Sequence, residues 1–331
     1  MKFGAIPLEE AEGAVLAHSV AVEGGRLRKG RVLSAEDVSA LRAAGRETVI
    51  AAVLGPGDVA EDAAAAQLAA AVLGQGEGLK ITDPFTGRVN LLARGPGVVE
   101  MDVAALEAVN RVHPMITIAT VPAWQQLGEG GMAATVKIIS YAVPEADLAR
   151  AVAAAGAGAM RLRGPVIRRA TLIVTEIPKG AGEKGVPAIE ARLNALGVTL
   201  AEVVTVPHRT APLAEALAVA ETELVLILTG SATSDIDDVA PSALRAAGGE
   251  VVRFGMPVDP GNLLFLGKLG DRHVIGLPGC ARSPALNGAD WVLSRVICGV
   301  PVTDADIAGM GVGGLLKEIP TRPQPRRGRK V

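Results

Sequence analysis

The chain has 331 residues, 49% of them hydrophobic and 21% charged, with a formal net charge of -2. That balance excludes a disordered polymer and a nucleic-acid coat, and 2% aromatic residues leave too few rings for base-stacking platforms. No apolar run is long enough to span a bilayer, the opening ten residues lack a signal-peptide core, and Cys280 and Cys298 make no disulfide framework. The expectation is a cytoplasmic protein with no membrane and no nucleic-acid partner.

The length allows two domains. Residues 1–165 read as a mixed α+β domain with no dominant period. Residues 15–22 and 26–33 around Glu23-Gly-Gly25 predict a hairpin. Ser34-Ala-Glu-Asp37 opens a helix that runs to Ala44 and is stopped by Gly45. A strand at 48–54 and an Ala-rich helix at 58–73 follow. Gly74-Gln-Gly-Glu-Gly78, with Asp83-Pro-Phe-Thr-Gly87 after it, reads as a loop between subdomains, a break near 74–87. Strands are expected at 88–92, 98–101, 115–121 and 132–141, with a turn at 128–131. Helices are expected at 102–110 and 144–155, and 156–165 reads as a linker.

From 166 to 300 the pattern becomes regular. Strands at 170–174, 203–206, 224–228 and 250–255 alternate with helices at 187–196, 213–220 and 238–247. Such alternation implies right-handed crossovers, hence an α/β fold with a three-layer, doubly wound, mostly parallel sheet. Segments 263–268 and 273–277 read as a hairpin adding antiparallel strands at one side. A closing helix at 284–298 is expected, with Ser283 as its cap and Pro284 in its first position. Residues 301–331 form an extension whose basic, Pro-rich end reads as solvated and disordered.

Three loops after strands gather small residues before a helix start, which is how main-chain N–H groups converge on an anion. The first is Glu176-Ile-Pro-Lys-Gly-Ala-Gly-Glu-Lys-Gly-Val-Pro187. Its Gly180 and Gly185 have P-loop spacing, but Val186 and Pro187 stand where Lys and Ser/Thr are required, so a nucleotide-hydrolysing P-loop is excluded. Lys179 or Lys184 either meets a phosphate or belongs to an ordinary surface loop. The second loop follows the apolar run 224–228 as Thr229-Gly-Ser-Ala-Thr-Ser-Asp-Ile-Asp-Asp238, and the third is Gly276-Leu-Pro-Gly-Cys-Ala-Arg-Ser-Pro284. A Pro260-Gly-Asn262 turn borders the same edge. Pro241 belongs among the first four helical positions, so Asp237 or Asp238 caps that helix. Asp235, Asp237 and Asp238 are either capping and solvation or a metal-assisted phosphate site. Arg282 is suited to a two-pronged phosphate contact.

These residues carry a resemblance. The stretch from about 168 to 300 looks like the MoaB/Mog-type molybdopterin-binding domain of molybdenum cofactor biosynthesis. The family's T-G-G-x-[TS] stretch with a following Asp is similar to Thr229-Gly-Ser-Ala-Thr233 with Asp238. The R-D-V-x-P run of its adenylyltransferase branch resembles Asp237-Asp-Val-Ala-Pro241, with Asp in place of Arg. The P-G-K and L-P-G-N-P-x-S runs of its molybdenum-insertion branch look like Pro260-Gly-Asn262 and Leu277-Pro-Gly-Cys-Ala-Arg-Ser283. Where insertion enzymes have T-G-D-E, this chain has Thr175-Glu-Ile-Pro; Asn262 replaces a lysine and Cys280 an asparagine. The opening Leu8-Glu-Glu-Ala-Glu-Gly-Ala-Val-Leu16 also resembles the insertion enzymes.

The resemblance implies binding of molybdopterin, or the molybdenum cofactor, through its phosphate. The ligand would meet Thr229, Gly230, Ser231, Thr233, Ser234, Pro260, Gly261, Asn262, Pro278, Gly279, Cys280, Arg282 and Ser283. Asp238 and Asp235 would be catalytic, and Asp238 with Asp237 would hold Mg²⁺. Two activities follow, Mg-dependent adenylyl transfer or molybdenum insertion. The missing acid, Asn262 and Cys280 favour an alternative, a carrier, storage or sensor protein without catalysis. A third alternative is another small-molecule binder on the same fold. A molybdoenzyme or nucleotidyltransferase partner and a homo-oligomer are implied with it.

Overall fold

The computed structural model describes residues 1–316. The chain forms two compact units, one of residues 1–94, 99–123 and 129–162, the other of 95–98, 124–128 and residues from 163 onward.

In the first unit, Lys2–Pro7 and Val15–Leu16 flank Thr48–Val53 in an antiparallel sheet. The expected hairpin pairs Val20–Val22 with Gly25–Leu27. Helix Ala35–Ala43 opens with a complete capping box, Asp37 N–H donating to Ser34 Oγ and Ser34 N–H to Asp37 Oδ2. A second sheet orders Ile116–Thr120, Met132–Ile138, Arg88–Ala93 and Leu79–Ile81, all antiparallel, with helices Glu61–Leu73, Val103–Val112 and Glu145–Ala155 in the same unit.

Two local expectations are corrected here. The helix read from 58 starts at Glu61, because Asp58–Ala60 pairs with Ala142–Pro144 as a strand. The stretch read as a linker contains a strand, Met160–Arg163. Residues 74–78 form a loop as expected, closely seated on another segment: a Cβ on Gly74 would lie 2.2 Å from Ala157 O, and one on Gly78 2.6 Å from Leu162 O.

In the second unit we number β1 Arg169–Glu176, α1 Val186–Asn194, β2 Thr199–Pro207, α2 Thr210–Val219, β3 Leu224–Leu228, α3 Val239–Ala246, β4 Glu250–Phe254, β5 Phe265–Leu269, β6 Arg272–Leu277 and α4 Gly288–Ile297. The sheet order is β2-β1-β3-β6-β5-β4. Strands β2, β1, β3 and β6 are parallel, and β5 runs antiparallel to both neighbours. The expected hairpin therefore lies on one side of the sheet, but only its β5 strand is antiparallel to the parallel set; β6 is parallel to β3 beside it.

The uninterrupted apolar run of β3 has a direct cause. Leu224, Leu226 and Leu228 face a core with α1 and α4 residues such as Leu193 and Val292, whereas Val225 and Ile227 face one with Leu217 and Leu244 from α2 and α3. Both strand faces are covered by helices, so no position can be polar. Complete burial of each such side chain contributes about 1.5–3 kcal/mol.

Asp238 is the N-cap of α3, and Pro241 takes its third position. The last helix departs from expectation. Residues 279–282 form a short 3₁₀ turn, and α4 begins at Gly288, where Asn287 and Asp290 make a capping box. Ser283 caps nothing at that helix; its Oγ accepts from Ala285 N–H. Beyond α4, α5 Asp304–Ala308 is capped by Thr303. The end read as disordered lies outside the described residues. Among those, no helix is long and apolar enough to cross a membrane.

Candidate functional site

Register places the three anion-type loops together. Val174 of β1 pairs with Leu228 of β3, and Leu228 pairs with Leu277 of β6. The loops at 177–185, 229–238 and 278–287 therefore leave adjacent strands at one edge, the C-terminal edge where open α/β sheets take ligands.

Arg282 ties the three together. Its Nη2 donates to Thr229 O at 3.0 Å and its Nη1 to Gly182 O at 2.7 Å. Burial lowers the guanidinium pKa, yet an arginine remains charged, so both bonds are charge-assisted. Gly185 admits this close approach, since a Cβ there would stand 2.7 Å from Arg282 Cγ. Both prongs of the guanidinium expected to meet a phosphate are directed at carbonyls of the protein instead.

The turn after β3 is held from below. Gly230 N–H donates to Thr175 Oγ1 at 2.9 Å, and Thr175 Oγ1 is hydrogen-bonded to His208 Nδ1 at 2.8 Å. Thr175 is fully buried. A Cβ on Gly230 would lie 2.7 Å from Thr175 O, so the turn can approach β1 only as glycine. Thr229 Oγ1 donates to Ser231 O, and buried Thr233 stands 3.4 Å from it. With these side chains fixing the curve, the N–H groups of Ser231, Ala232 and Thr233 donate to no group among the described residues.

The aspartates are engaged locally. Asp238 accepts Val239 N–H at 2.7 Å through Oδ1 and Ser234 N–H at 3.0 Å through Oδ2. Asp237 pairs with Arg245 at 2.7 Å, and Asp235 Oδ1 accepts Asp237 N–H at 2.8 Å. Among the described residues no group of three His, Cys, Asp or Glu side chains gathers as a metal site. This donor set does not fit a Mg²⁺ ion held by the protein alone.

In the third loop, Pro278 is buried, Gly279 exposed, and Cys280 and Arg282 half-buried. The loop is shaped by Arg192 of α1, which donates to Ala281 O at 2.9 Å, Ser283 O at 2.9 Å and Ala285 O at 3.0 Å. Pro260, Gly261 and Asn262 lie at the same sheet edge, in the β4–β5 connection. Their anchor is α4, through Gly288 N–H to Pro260 O at 2.8 Å, and no hydrogen bond among the described residues joins them to 229–238. The roles of Thr175, His208 and Arg192 at this edge were not legible in the sequence, since each acts through a partner at least 33 residues away.

The family model described as a probable molybdopterin binding domain matches residues 175–296, and one for a domain of unknown function (DUF8806) matches residues 5–53. No curated protein matches the chain. Among solved structures, a molybdopterin biosynthesis protein from Mycobacterium abscessus is 16% identical with TM-score 0.28, covering 41% of this chain and 94% of its own. Molybdenum cofactor biosynthesis protein B is 16% identical with TM-score 0.30, covering 41% and 96%. The molybdopterin biosynthesis moea protein from Pyrococcus horikosii is 14% identical with TM-score 0.30, covering 90% and 75%. All three are distant likenesses. Residues 175–296, which run from the end of β1 into α4, form a MoaB/Mog-type domain of the probable molybdopterin binding family.

Proposed function

We propose that the C-terminal edge of this sheet binds the phosphate end of molybdopterin, or of its adenylylated form, as part of molybdenum cofactor biosynthesis. The observation that carries the reading is the strapped rim: three adjacent loops joined by Arg282, with the Ser231, Ala232 and Thr233 amides unengaged among the described residues. Fixed main-chain donors suit an anion, because they need no reorganisation when it arrives. The family match over 175–296 supports a pterin as the molecule bearing that anion.

Holding and handing over the cofactor is favoured over adenylyl transfer or molybdenum insertion. Asp238 is engaged through both oxygens, Oδ1 accepting Val239 N–H at the start of α3 and Oδ2 accepting Ser234 N–H, and Asp237 is paired to Arg245, so neither carboxylate is free to position a transferred group. The receiving partner would be a molybdoenzyme or a nucleotidyltransferase.

The test is a titration of the full chain with molybdopterin, followed by addition of ATP, Mg²⁺ and molybdate. Saturable binding with no AMP release, no adenylylated pterin and no metal insertion is expected. Turnover that Asp238→Ala abolishes would replace the carrier role with the enzymatic one. Absence of binding would remove the pterin reading altogether.

A further inference from the structure

The second unit holds a cavity of about 550 Å³ at the end of its sheet away from the anion-type loops. It lies where α4 gives way to the connection into α5, against the start of β4, the end of β5 and the start of β6. His273 stands at the beginning of β6 and Leu277 at its end, so the cavity is at the sheet edge opposite the rim. Small-molecule sites run from about 300 to about 1,000 Å³ and combine an apolar lining with a few convergent polar groups.

Register brings such polar groups together here. Glu250 of β4 is the cross-strand partner of Lys268 of β5, and Lys268 is the partner of His273 of β6. Cross-strand partners share a sheet face with their Cβ atoms about 5 Å apart, so the three form one row. The face is the α4 side, because Leu266 and Ile275, each two residues along from Lys268 and His273, pack in the core cluster with Val292 and Val296. The floor of the cavity is apolar, with Leu266, Val296 and Val300 buried and Val252 and Val302 half-buried.

The protein leaves this row unsatisfied. Glu250 and Lys268 are exposed neighbours, yet among the described residues neither side chain makes an ion pair or a hydrogen bond. His273 donates its main-chain N–H to Glu223 O at 2.9 Å, while its half-buried imidazole has no partner among the described residues. Burial, and then the charge of Lys268, push the imidazole below its ordinary pKa, so at neutral pH the ring is uncharged and keeps one N–H to donate. The other carboxylate at the cavity, Asp304, is paired with Arg253 at 2.6 Å, and Thr303 is taken up in the cap of α5 with Asp306. The lining therefore offers one unpaired negative charge, one unpaired positive charge and a neutral donor, in that order. A simple anion drawn to Lys268 is repelled by Glu250 about 5 Å away, and a simple cation meets the reverse. A molecule with both charges close together and an apolar body answers the whole lining.

We propose that this cavity binds a zwitterionic α-amino acid with an apolar side chain: its ammonium meets Glu250, its carboxylate meets Lys268 and the His273 N–H, and its side chain lies against Leu266, Val296 and Val300. The site is independent of the pterin reading, which concerns the opposite edge of the same sheet.

The experiment is calorimetric titration of the full chain, without pterin, with L-valine, L-leucine and L-phenylalanine as probes. Saturable binding of at least one is expected. The analogues of the best binder that lack the ammonium or the carboxylate, such as 4-methylpentanoate and leucinamide for leucine, should each bind at least about tenfold more weakly. Glu250→Gln and Lys268→Gln should each weaken the amino acid by at least about tenfold, with thermal unfolding unchanged, since neither side chain has a described partner to lose. In proton NMR the His273 ring signals, identified among the four histidines by their loss in His273→Gln, should move as the amino acid is added. No saturable binding of any of the three amino acids overturns the proposal. So does an analogue lacking one charge that binds as tightly as its parent, or an affinity unchanged in both Gln variants. Binding that leaves the His273 signals in place would put the amino acid elsewhere on the chain and overturn the proposal equally.

Discussion

Replacing Arg282 with alanine is the most informative perturbation of the C-terminal unit. The side chain makes two bonds to carbonyls of two different loops, at 2.7 and 3.0 Å. Hydrogen bonds to a charged group contribute about 1.5–3 kcal/mol each. The guanidinium is half-buried, so its removal also relieves a desolvation penalty and lets water reach the freed carbonyls. The expected net loss is about 2 kcal/mol, which lowers the melting temperature of a unit of this size by about 4–8 °C. Scanning calorimetry on the full chain measures it, read on the transition of the C-terminal unit. Pterin affinity should fall at least about tenfold, because the loops lose their common anchor. Arg282→Lys keeps the charge but not the fork, and should resemble the alanine variant more than the parent. A melting temperature within about 1 °C of the parent, with unchanged affinity, would refute the strap.

Further outcomes are open to direct measurement. Gly230→Ala puts a Cβ 2.7 Å from Thr175 O, and the forced shift should cost about 1–3 kcal/mol in urea unfolding together with most pterin binding. Thr175→Val keeps the shape but leaves Gly230 N–H without its buried acceptor, a loss of about 1–3 kcal/mol by the same assay. The Cys298 thiol is pushed up to about 11 by burial, against an ordinary value of 9.0. The unfolded chain therefore releases this proton first, so stability falls as pH rises from about 9 to about 11, by up to about 3 kcal/mol. Urea titrations of parent and Cys298→Ala at either end of that range should differ by this slope, and identical slopes would show the thiol to be accessible.

Much of the second unit is legible because its cues are local. Five apolar residues without alternation announce β3, and a Pro at the third helical position places the cap at Asp238. Ser34 and Asp37 announce their helix in the same way. What misleads is a good local signal overruled by a distant partner. Ser283-Pro284 has the wording of a helix start, but Arg192 holds the carbonyls of Ser283 and Ala285, and the helix waits for Asn287. Asp58–Ala60 has helix neighbours yet pairs with a strand more than 80 residues on. The acids at 235–238 leave capping and metal binding both open in the sequence, because the partners that engage them are not local to the motif: Asp238 caps α3 and holds Ser234 N–H, and Asp237 pairs with Arg245.

The amides at 231–233 offer donors that belong to the polypeptide itself, whichever side chain each residue carries. Identity at Ser231 or Ala232 is thus a poor gauge of whether a related chain keeps the capacity, and swapping those side chains should leave it nearly whole. What can be inherited or lost is the bend: the bare Cα at 230, the hydroxyl beneath it and the arginine across from it. A comparison of relatives that asks only about those three supports would sort competent chains from incompetent ones better than matching the residues that touch the ligand.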